Sequence, residues 1–156
     1  MILRRLSMVL TIAISLFFFM SHAFALDRST DGFGNSISIS NNSGGNIAEY
    51  ALSAAEYRSS GTLVKFTGRC DSACTLFLGL PSHQTCLSRG AFFRFHAPFG
   101  VSASAQRMAQ AYLMRKYPGW VRAWISHNRG LTHNLITMDY SYASRFMTSC
   151  DSVATR

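Results

Sequence analysis

Three short segments of the chain carry residue types that acyl transfer requires. The reaction needs a nucleophile, a base that takes the nucleophile's proton, and N–H donors for the developing oxyanion. These parts are available in Ser43-Gly44-Gly45, Cys70-Asp71-Ser72-Ala73-Cys74 and Phe95-His96-Ala97-Pro98. Ser72 is the candidate nucleophile and His96 is the candidate base.

The environment predicted for Ser72 suits a nucleophile. The serine opens an apolar helix, where backbone N–H groups are unpaired and the helix dipole is positive. The N–H of Ala73 is therefore available to an oxyanion, and Gly45, which has no Cβ atom, lets a second N–H approach a substrate. The plainer interpretation is that Ser72 only caps a helix, for about 1 kcal/mol, and that His96 is a hydrogen-bonded surface residue.

The three segments follow predicted strands, so the sheet decides whether they meet. Residue patterns predict strands over residues 35–40, 62–67 and 91–95, and helices over residues 46–58 and 72–80. This alternation implies right-handed parallel crossovers, and hence an α/β fold. Because carboxyl ends of parallel strands lie at one edge of a sheet, we expect the three segments to lie close together.

The last third of the chain is predicted to be largely helical. Apolar residues recur at helical spacing in two stripes, and Gly130 ends the second one. The first stripe contains Ala105, Met108, Ala109, Tyr112 and Leu113, and the second, after Pro118, contains Val121, Trp124 and Ile125. We interpret both stripes as core packing rather than as a cofactor site, and no cofactor is predicted.

The amino terminus has the three parts of a bacterial export signal. Arg4 and Arg5 form a positive start, and an apolar run follows over residues 8–20. Ala23-Phe24-Ala25 then offers the small residues that a signal peptidase recognises. The sequence therefore predicts a periplasmic or secreted protein.

Cleavage of this signal would leave one small domain. A cut after Ala25 leaves 131 residues, namely a flexible lead-in over residues 26–34 and a domain over residues 35–156. The alternative is an uncleaved anchor over residues 8–26, which His22 interrupts. With cleavage, no membrane span is expected in the mature chain.

The chain is basic, but its charge lacks the patterns typical of nucleic-acid binding. Loss of Arg4 and Arg5 lowers the net charge from +8 to +6, with 13 Lys and Arg against 7 Asp and Glu. The basic residues are scattered singly, so neither a basic tail nor a groove-binding helix is present in the pattern. Nucleic acid is therefore not an expected partner, and the excess charge is interpreted as a solvated surface drawn to anionic envelope surfaces.

The four cysteines favour disulfides in an exported chain, and three pairings are possible. We prefer a pair between Cys70 and Cys86, which closes a short loop. Cys74 and Cys150 then either pair with each other or remain thiols. A zinc or redox site at Cys70 and Cys74, with His83 nearby, is the alternative. The sequence lacks the second ligand pair that such zinc sites usually have, so no metal site is predicted.

The three segments resemble those of the Clp-type serine peptidases, in the Clp/crotonase superfamily. That family has an Asn-Ser-Pro-Gly-Gly turn, a helix-borne nucleophilic serine, and a strand that ends in Ile-His-Gln-Pro. This chain has Asn42-Ser43-Gly44-Gly45-Asn46-Ile47, then Ser72-Ala73, then Phe95-His96-Ala97-Pro98-Phe99-Gly100. Gly45 precedes Ser72 by 27 residues and His96 follows it by 24, close to the family's separations.

A closer resemblance is to small bacterial proteins predicted to be periplasmic. They carry Cys-x-Ser-Ala-Cys-Thr followed by Phe-His, and a later Gly-Leu-Thr stretch that Gly130-Leu131-Thr132 matches. Together the resemblances imply a ββα-superhelix core, truncated relative to the family, with parallel strands and carboxyl-terminal helices. They also imply a peptide or protein substrate and assembly into a homo-oligomer.

The resemblance implies a role for each matched residue. Ser72 would be the nucleophile, His96 the general base, and Gly45 and Ala73 the backbone donors to the oxyanion. The family's third catalytic member is an Asp, and Asp139 is the candidate because it is the only carboxylate between His96 and Asp151.

Other assignments for the third member stay open. Asn128 or Asn134 could orient the imidazole in place of an acid. A Ser–Lys dyad, known in signal peptide peptidases of this superfamily, is disfavoured because only Lys65 and Lys116 exist.

The sequence predicts an exported serine hydrolase, most simply a peptidase. The alternative is a non-catalytic binding or assembly module on the same scaffold, because a fold does not fix a function.

Overall fold

The structure is a computed structural model that describes residues 35–153. The predicted signal peptide, its cleavage site after Ala25 and the lead-in over residues 26–34 lie outside the described residues. Within residues 35–153, no helix is long and apolar enough to cross a membrane.

The chain alternates strands and helices through its first half, as predicted. In chain order the elements are β1 (Ser36–Asn42), α1 (Ile47–Ser60), β2 (Leu63–Asp71), a 3₁₀ helix (Ser72–Gly79), a 3₁₀ turn (Ser82–Gln84), β3 (Thr85–Leu87), β4 (Phe92–Phe95), α2 (Ala103–Lys116), α3 (Gly119–His127), β5 (Ile136–Met138), α4 (Tyr140–Ala143) and α5 (Cys150–Val153). We call the Ser72–Gly79 element the serine helix. The short elements β3, β5, α4 and α5 were not predicted.

β2 is the central strand of a mostly parallel sheet. It pairs in parallel with β1 along one side. On its other side, residues 64–66 pair in parallel with β3 and residues 69–71 pair in parallel with β4. β5 then pairs antiparallel with β4 and ends the sheet. The predicted α/β architecture with a parallel sheet is confirmed.

Helix α1 begins and ends where its capping residues predict. The Asn46 side chain accepts a hydrogen bond from the N–H of Ala48 at 2.8 Å, and Gly61 ends the helix with φ +69°. Tyr50 and Tyr57 pack against Phe77 of the serine helix, with ring centroids 5.6 and 5.4 Å apart. These contacts hold α1 against the serine helix.

A single apolar core fills the space between the sheet and the helices. The largest fully buried side chains include Phe66, Phe77, Phe93, Phe95, Ile39, Leu87, Ile125 and Met138. The second predicted stripe is core, since Val121 and Ile125 are buried. The first stripe was only partly correct. Met108 is 67% exposed. Leu113 is the one residue of α2 that is buried.

The preferred cysteine pairing was wrong. The structure has disulfides Cys70–Cys74 and Cys86–Cys150, so neither Cys74 nor Cys150 is a thiol. Cys86 pairs in register with Lys65, five residues before Cys70 on β2. That offset is about 16 Å at the rise of a strand, well beyond the reach of a disulfide.

Cys74 reaches Cys70 instead because the serine helix turns back after β2, which puts the two Cα atoms 5.5 Å apart. Disulfide bonding also removes the two thiolates that a zinc site at Cys70 and Cys74 would need.

Candidate active site

Ser72 and His96 follow the ends of neighbouring parallel strands. β2 and β4 pair so that Asp71 lies opposite Arg94, which places Ser72 one residue and His96 two residues beyond that pair. Both line a pocket of about 560 Å³, a volume typical of small-ligand sites. Ser43, Gly44 and Gly45 line the same pocket. The structure therefore brings the three predicted segments together at one edge of the sheet.

The backbone of Ser72 has an unusual conformation. Its φ is +53°, and within residues 35–153 only Arg129 among the other non-glycine residues also has a positive φ. A left-handed conformation costs a residue with a Cβ atom about 1–2 kcal/mol. Such strain persists where the surrounding structure holds it, and it is concentrated at functional sites.

The glycine turn packs directly against the serine. A Cβ atom on Gly44, which has φ +76°, would lie 2.5 Å from the carbonyl oxygen of Asp71 and 2.8 Å from the Cβ of Ser72. Only glycine fits there. A Cβ on Gly45, the glycine predicted to let an N–H group approach a substrate, would meet only the Tyr50 ring, at an ordinary 3.6 Å.

The Asn42 side chain is hydrogen-bonded to the glycine turn, a role that the sequence did not reveal. Its Oδ1 accepts hydrogen bonds from the N–H of Gly44 at 2.9 Å and from the hydroxyl of Tyr50 at 2.6 Å. Burial raises the pKa of Tyr50, and the hydrogen bond to Asn42 partly offsets that rise. Asn42 ends β1, where an asparagine followed by Ser-Gly-Gly is the signal that could have found it.

One ring nitrogen of His96 is held by the backbone of the next residue. Its Nδ1 lies 2.7 Å from the carbonyl oxygen of Ala97. A carbonyl can only accept, so Nδ1 carries a proton. The ring packs against Phe99 at 5.3 Å between centroids. Within the described part of the chain, no direct hydrogen bond joins the His96 ring to the Ser72 hydroxyl.

An ion pair between the buried Asp71 and the partly exposed Arg94 lies next to the serine. Asp71 is 4% exposed and accepts two hydrogen bonds from the guanidinium of Arg94, with Nε–Oδ1 at 2.8 Å. Arg69 lies 3.5 Å from the same carboxylate and donates to the Ser43 hydroxyl at 3.2 Å. The hydrogen bonds from Arg94 to Asp71 also raise the pKa of Arg94. The network ties the glycine turn to the strand ends that precede Ser72 and His96.

Comparison with known proteins identifies the fold. No family model matches the sequence, and no curated protein matches it. The ClpP1 N165D mutant from Listeria monocytogenes matches in structure with a TM-score of 0.59 and 15% sequence identity, over 76% of this chain and 75% of that chain. This chain has a Clp-type peptidase fold.

Two further solved structures are similar to this chain. One, described only as an enzyme, has a TM-score of 0.52 and 6% identity, over 71% of this chain and 73% of that chain. The other is a peptidase from Plasmodium falciparum with a TM-score of 0.49 and 8% identity, over 71% and 72% of the two chains. At these identities the likeness concerns the fold alone.

The fold does not bring Asp139 to the imidazole. Phe93 pairs with Met138 in the antiparallel β4–β5 ladder, so Asp139 lies toward the start of β4, whereas His96 follows its end. Asp139 instead caps α4. Its Oδ1 accepts from the N–H of Tyr142 at 2.9 Å and from the Ser141 hydroxyl at 2.8 Å. These two hydrogen bonds lower the pKa of Asp139.

Of the two asparagines left open for the third member, Asn128 has its side chain engaged elsewhere. The amide of Asn128 donates to the carbonyl of Trp124 at 2.8 Å, at the end of α3. Asn134 lies exposed in the loop before β5, and its backbone N–H donates to the Thr132 hydroxyl. This loop still approaches the site, because the N–H of Ala97 donates to the carbonyl of Thr132 at 2.6 Å.

The two lysines lie away from Ser72. Lys65 is in the first half of β2, opposite Cys86, while Ser72 follows the other end of that strand. The ammonium of Lys116 lies over the ring of Tyr112 at 5.4 Å. The structure thus assembles neither version of a Ser–Lys dyad.

Proposed function

We propose that this protein is a periplasmic serine peptidase that forms an acyl-enzyme at Ser72. The observation that carries the proposal is the shared pocket of Ser72, His96 and the glycine turn, built on a Clp-type fold. Nucleophile, base and backbone donors are the parts that acyl transfer needs.

The reaction would proceed in two halves. As a peptide carbonyl enters the pocket, Nε2 of His96 takes the proton of the Ser72 hydroxyl, whose oxygen attacks the carbonyl carbon. The N–H groups of Gly45 and Ala73 would stabilise the oxyanion. The protonated imidazole then gives its proton to the leaving amine, and water hydrolyses the acyl-enzyme by the reverse sequence. Catalytic hydrogen bonds often tighten only when substrate is bound, so we expect the Ser72–His96 hydrogen bond to form in the substrate complex.

We propose that the carbonyl of Ala97 orients the imidazole in place of an acid. It accepts from Nδ1 and thereby fixes the tautomer that a general base needs. A neutral carbonyl stabilises an imidazolium less than a carboxylate does. The expected consequence is a slower peptidase than one with a Ser-His-Asp triad. Asp139 would have to leave its position at the start of α4 to serve as that third member.

The pocket walls favour a peptide with an apolar side chain. Phe99, Val101, Ala105 and Ala109 give the pocket an apolar wall beside the polar serine and histidine. Phe99 is 68% exposed and Val101 is 55% exposed, so both can contact a bound chain. An extended peptide could lay one apolar side chain against this wall while its carbonyl faces Ser72.

Export to the periplasm is part of the proposal. The two disulfides need an oxidising compartment to form and persist, and the amino-terminal sequence predicts a route to one.

Homo-oligomerisation belongs to the same proposal, since large apolar side chains remain exposed, including Leu52, Met108, Leu135 and Phe146. Sedimentation equilibrium of the mature protein measures its mass, and a monomer at high concentration would contradict assembly.

The second candidate function is a non-catalytic binding or assembly module. The observation that favours it is the missing hydrogen bond between the described Ser72 and His96 side chains. This reading expects Ser72→Ala to bind the same partners and to act normally in cells. Loss of the cellular phenotype in a folded Ser72→Ala protein would rule it out.

A fluorophosphonate probe tests the peptidase directly. The oxidised mature protein at neutral pH is treated with the probe and analysed by intact mass. We expect one adduct on the wild type and none on Ser72→Ala, with labelling of His96→Ala slowed by about a hundredfold or more because the base is lost.

Ser43→Ala is the matched control. Ser43 is an exposed serine that lines the same pocket, and its hydroxyl accepts from Arg69 rather than reacting. This variant keeps Ser72 and should still form one adduct. An unlabelled wild type, or equal labelling of Ser72→Ala, would defeat the proposal.

A further inference from the structure

A chain of buried hydroxyl groups ends on the backbone of Ser72. The Thr75 Oγ1 lies 2.6 Å from the carbonyl oxygen of Ser72 and 2.6 Å from the hydroxyl of Tyr117. Thr75 is fully buried and Tyr117 is 3% exposed, so water does not compete for these bonds. The Ser72 carbonyl can only accept, so the one hydroxyl proton of Thr75 must go to it. Tyr117 is therefore the donor to Thr75.

Tyr117 also touches the strand that carries the histidine. Its ring packs edge-on against Phe95, with centroids 5.7 Å apart, and Phe95 is the residue immediately before His96. The Tyr117 side chain thus contacts Thr75, which is bonded to Ser72, through its hydroxyl. It contacts Phe95, which precedes His96, through its ring. Burial raises the pKa of Tyr117 to about 12, so the hydroxyl keeps its proton as a donor throughout the neutral range.

The hydroxyl chain opposes relaxation of the strained serine. Ser72 has φ +53°, a conformation that a residue with a Cβ atom adopts only when its surroundings hold it. Rotation of the Ser72 peptide toward an ordinary conformation would carry its carbonyl away from Thr75. The buried Thr75 hydroxyl would then lack the acceptor for its proton, a loss that proteins strongly avoid.

We propose that Thr75 and Tyr117 are positioning residues that lock the Ser72 backbone so that its hydroxyl points at His96 and the oxyanion donors. The inference rests on the proposed peptidase function of Ser72. It assigns a purpose to two buried polar residues that the reaction itself does not touch. The Cys70–Cys74 disulfide joins residues on either side of Ser72 and also restricts the Ser72 backbone.

A purely structural reading of the two residues also exists. Threonine hydroxyls commonly bond to a carbonyl three or four residues earlier in a helix, and a buried tyrosine could simply fill the core. The two readings differ in what the loss of a hydroxyl does to reactivity. A structural role lowers stability alone, whereas a positioning role also slows acylation of folded protein.

The experiment compares hydroxyl loss with hydroxyl retention. We measure the fluorophosphonate labelling rate and the kcat and KM for p-nitrophenyl acetate hydrolysis, with thermal unfolding as the fold check. Thr75→Val and Tyr117→Phe should label about ten- to a hundredfold more slowly than the wild type, as displacement of a reacting group by about 1 Å does. The loss should fall on kcat, with KM unchanged. Thr75→Ser keeps the hydroxyl and should restore most of the rate.

Thr62→Val is the matched control for loss of a buried threonine hydroxyl. Thr62 is 1% exposed, and its hydroxyl bonds with that of Ser60 beyond the end of α1, outside the pocket. It should lose stability but keep the wild-type rate. Equal rates for Thr75→Val and Thr75→Ser, or an equal loss in Thr62→Val, would overturn the inference while leaving the peptidase standing. An unreactive wild type would instead defeat the peptidase proposal, and the positioning role with it.

Discussion

At the scale of single residues, the candidate site depends on two neighbouring positions with positive φ, of which only Ser72 is strained. Ser72 and Gly44 both have positive φ, and the space for a Cβ on Gly44 is already occupied by the backbone around Ser72. The glycine is therefore a steric requirement for the serine's position. Asn42 then fixes the glycine turn through its hydrogen bond to the N–H of Gly44.

Gly44→Ala tests this requirement. The added Cβ would overlap the backbone of Asp71 and Ser72, and alanine also disfavours φ +76°. We expect loss of fluorophosphonate labelling and a fall in the free energy of unfolding of about 1–3 kcal/mol, measured by urea denaturation. Gly90→Ala is the control, because Gly90 has φ +84° with nothing within 4 Å. It should cost about 1 kcal/mol and leave labelling intact. Normal labelling of Gly44→Ala would contradict the close packing described here.

At the scale of elements, register decides which residues can share the site. The parallel pairing of β2 with β4 brings Ser72 and His96 to the same edge of the sheet, whereas the antiparallel return of β5 carries Asp139 to the far end of β4. Each of these placements follows from strand direction. That Asp139 is the only carboxylate between His96 and Asp151 in the sequence does not affect where the fold places it.

Asp139→Asn and Asp139→Ala test the assignment of Asp139 to α4. Asparagine caps a helix nearly as well as aspartate, so Asp139→Asn should keep its stability, while Asp139→Ala should lose about 0.5–2 kcal/mol at pH 7. Both should label with fluorophosphonate within about twofold of the wild-type rate, because Asp139 is outside the site. A loss of labelling as large as that of His96→Ala would restore Asp139 as the third catalytic member.

The pH dependence follows from the same hydrogen bonds. They hold the folded-state pKa of Asp139 below its usual value, so the carboxylate stabilises the fold above the unfolded-state pKa near 4. That contribution is lost as the pH falls through the folded-state pKa. The stability difference between wild type and Asp139→Ala should therefore shrink between pH 5 and pH 3, as followed by urea denaturation. A difference that is constant with pH would contradict the carboxylate cap.

At the scale of the whole molecule, the two disulfides act over different lengths of chain. Cys86–Cys150 joins residues 64 apart and fastens the carboxyl-terminal end to β3, where a parallel bridge between Leu87 and Ser149 extends the contact. Cys70–Cys74 joins residues only 4 apart, on either side of Ser72. Since loop closure restricts the unfolded chain more for longer loops, the first disulfide should dominate stability and the second should chiefly affect the site.

Paired alanine variants separate these effects. By the loop-entropy model, Cys86→Ala/Cys150→Ala should lower the free energy of unfolding by about 4 kcal/mol and Cys70→Ala/Cys74→Ala by about 2 kcal/mol. Only the second pair should slow fluorophosphonate labelling of the folded protein. Urea denaturation and non-reducing peptide mapping measure the stabilities and the pairing. A mapped peptide containing Cys70 joined to Cys86 would contradict the structure.

The outline of the fold followed from the sequence because its signals are local. Alternation along β1, the cap at Asn46, the stop at Gly61 and the strand before His96 each depend on neighbouring residues only, and each was predicted within a few positions. The three-residue strands β3 and β5 were missed, since so short a run carries no periodicity.

The sequence by itself determined an α/β fold and the three segments that line the pocket, because strand direction alone brings such segments to one edge of a sheet. The tertiary structure decided the cysteine pairing, the engagement of Asp139 at α4 and the hydroxyl chain from Tyr117 to Ser72. These features join residues through strand register and side-chain packing between distant parts of the chain. No local pattern encodes such distances, so only the folded arrangement could reveal them.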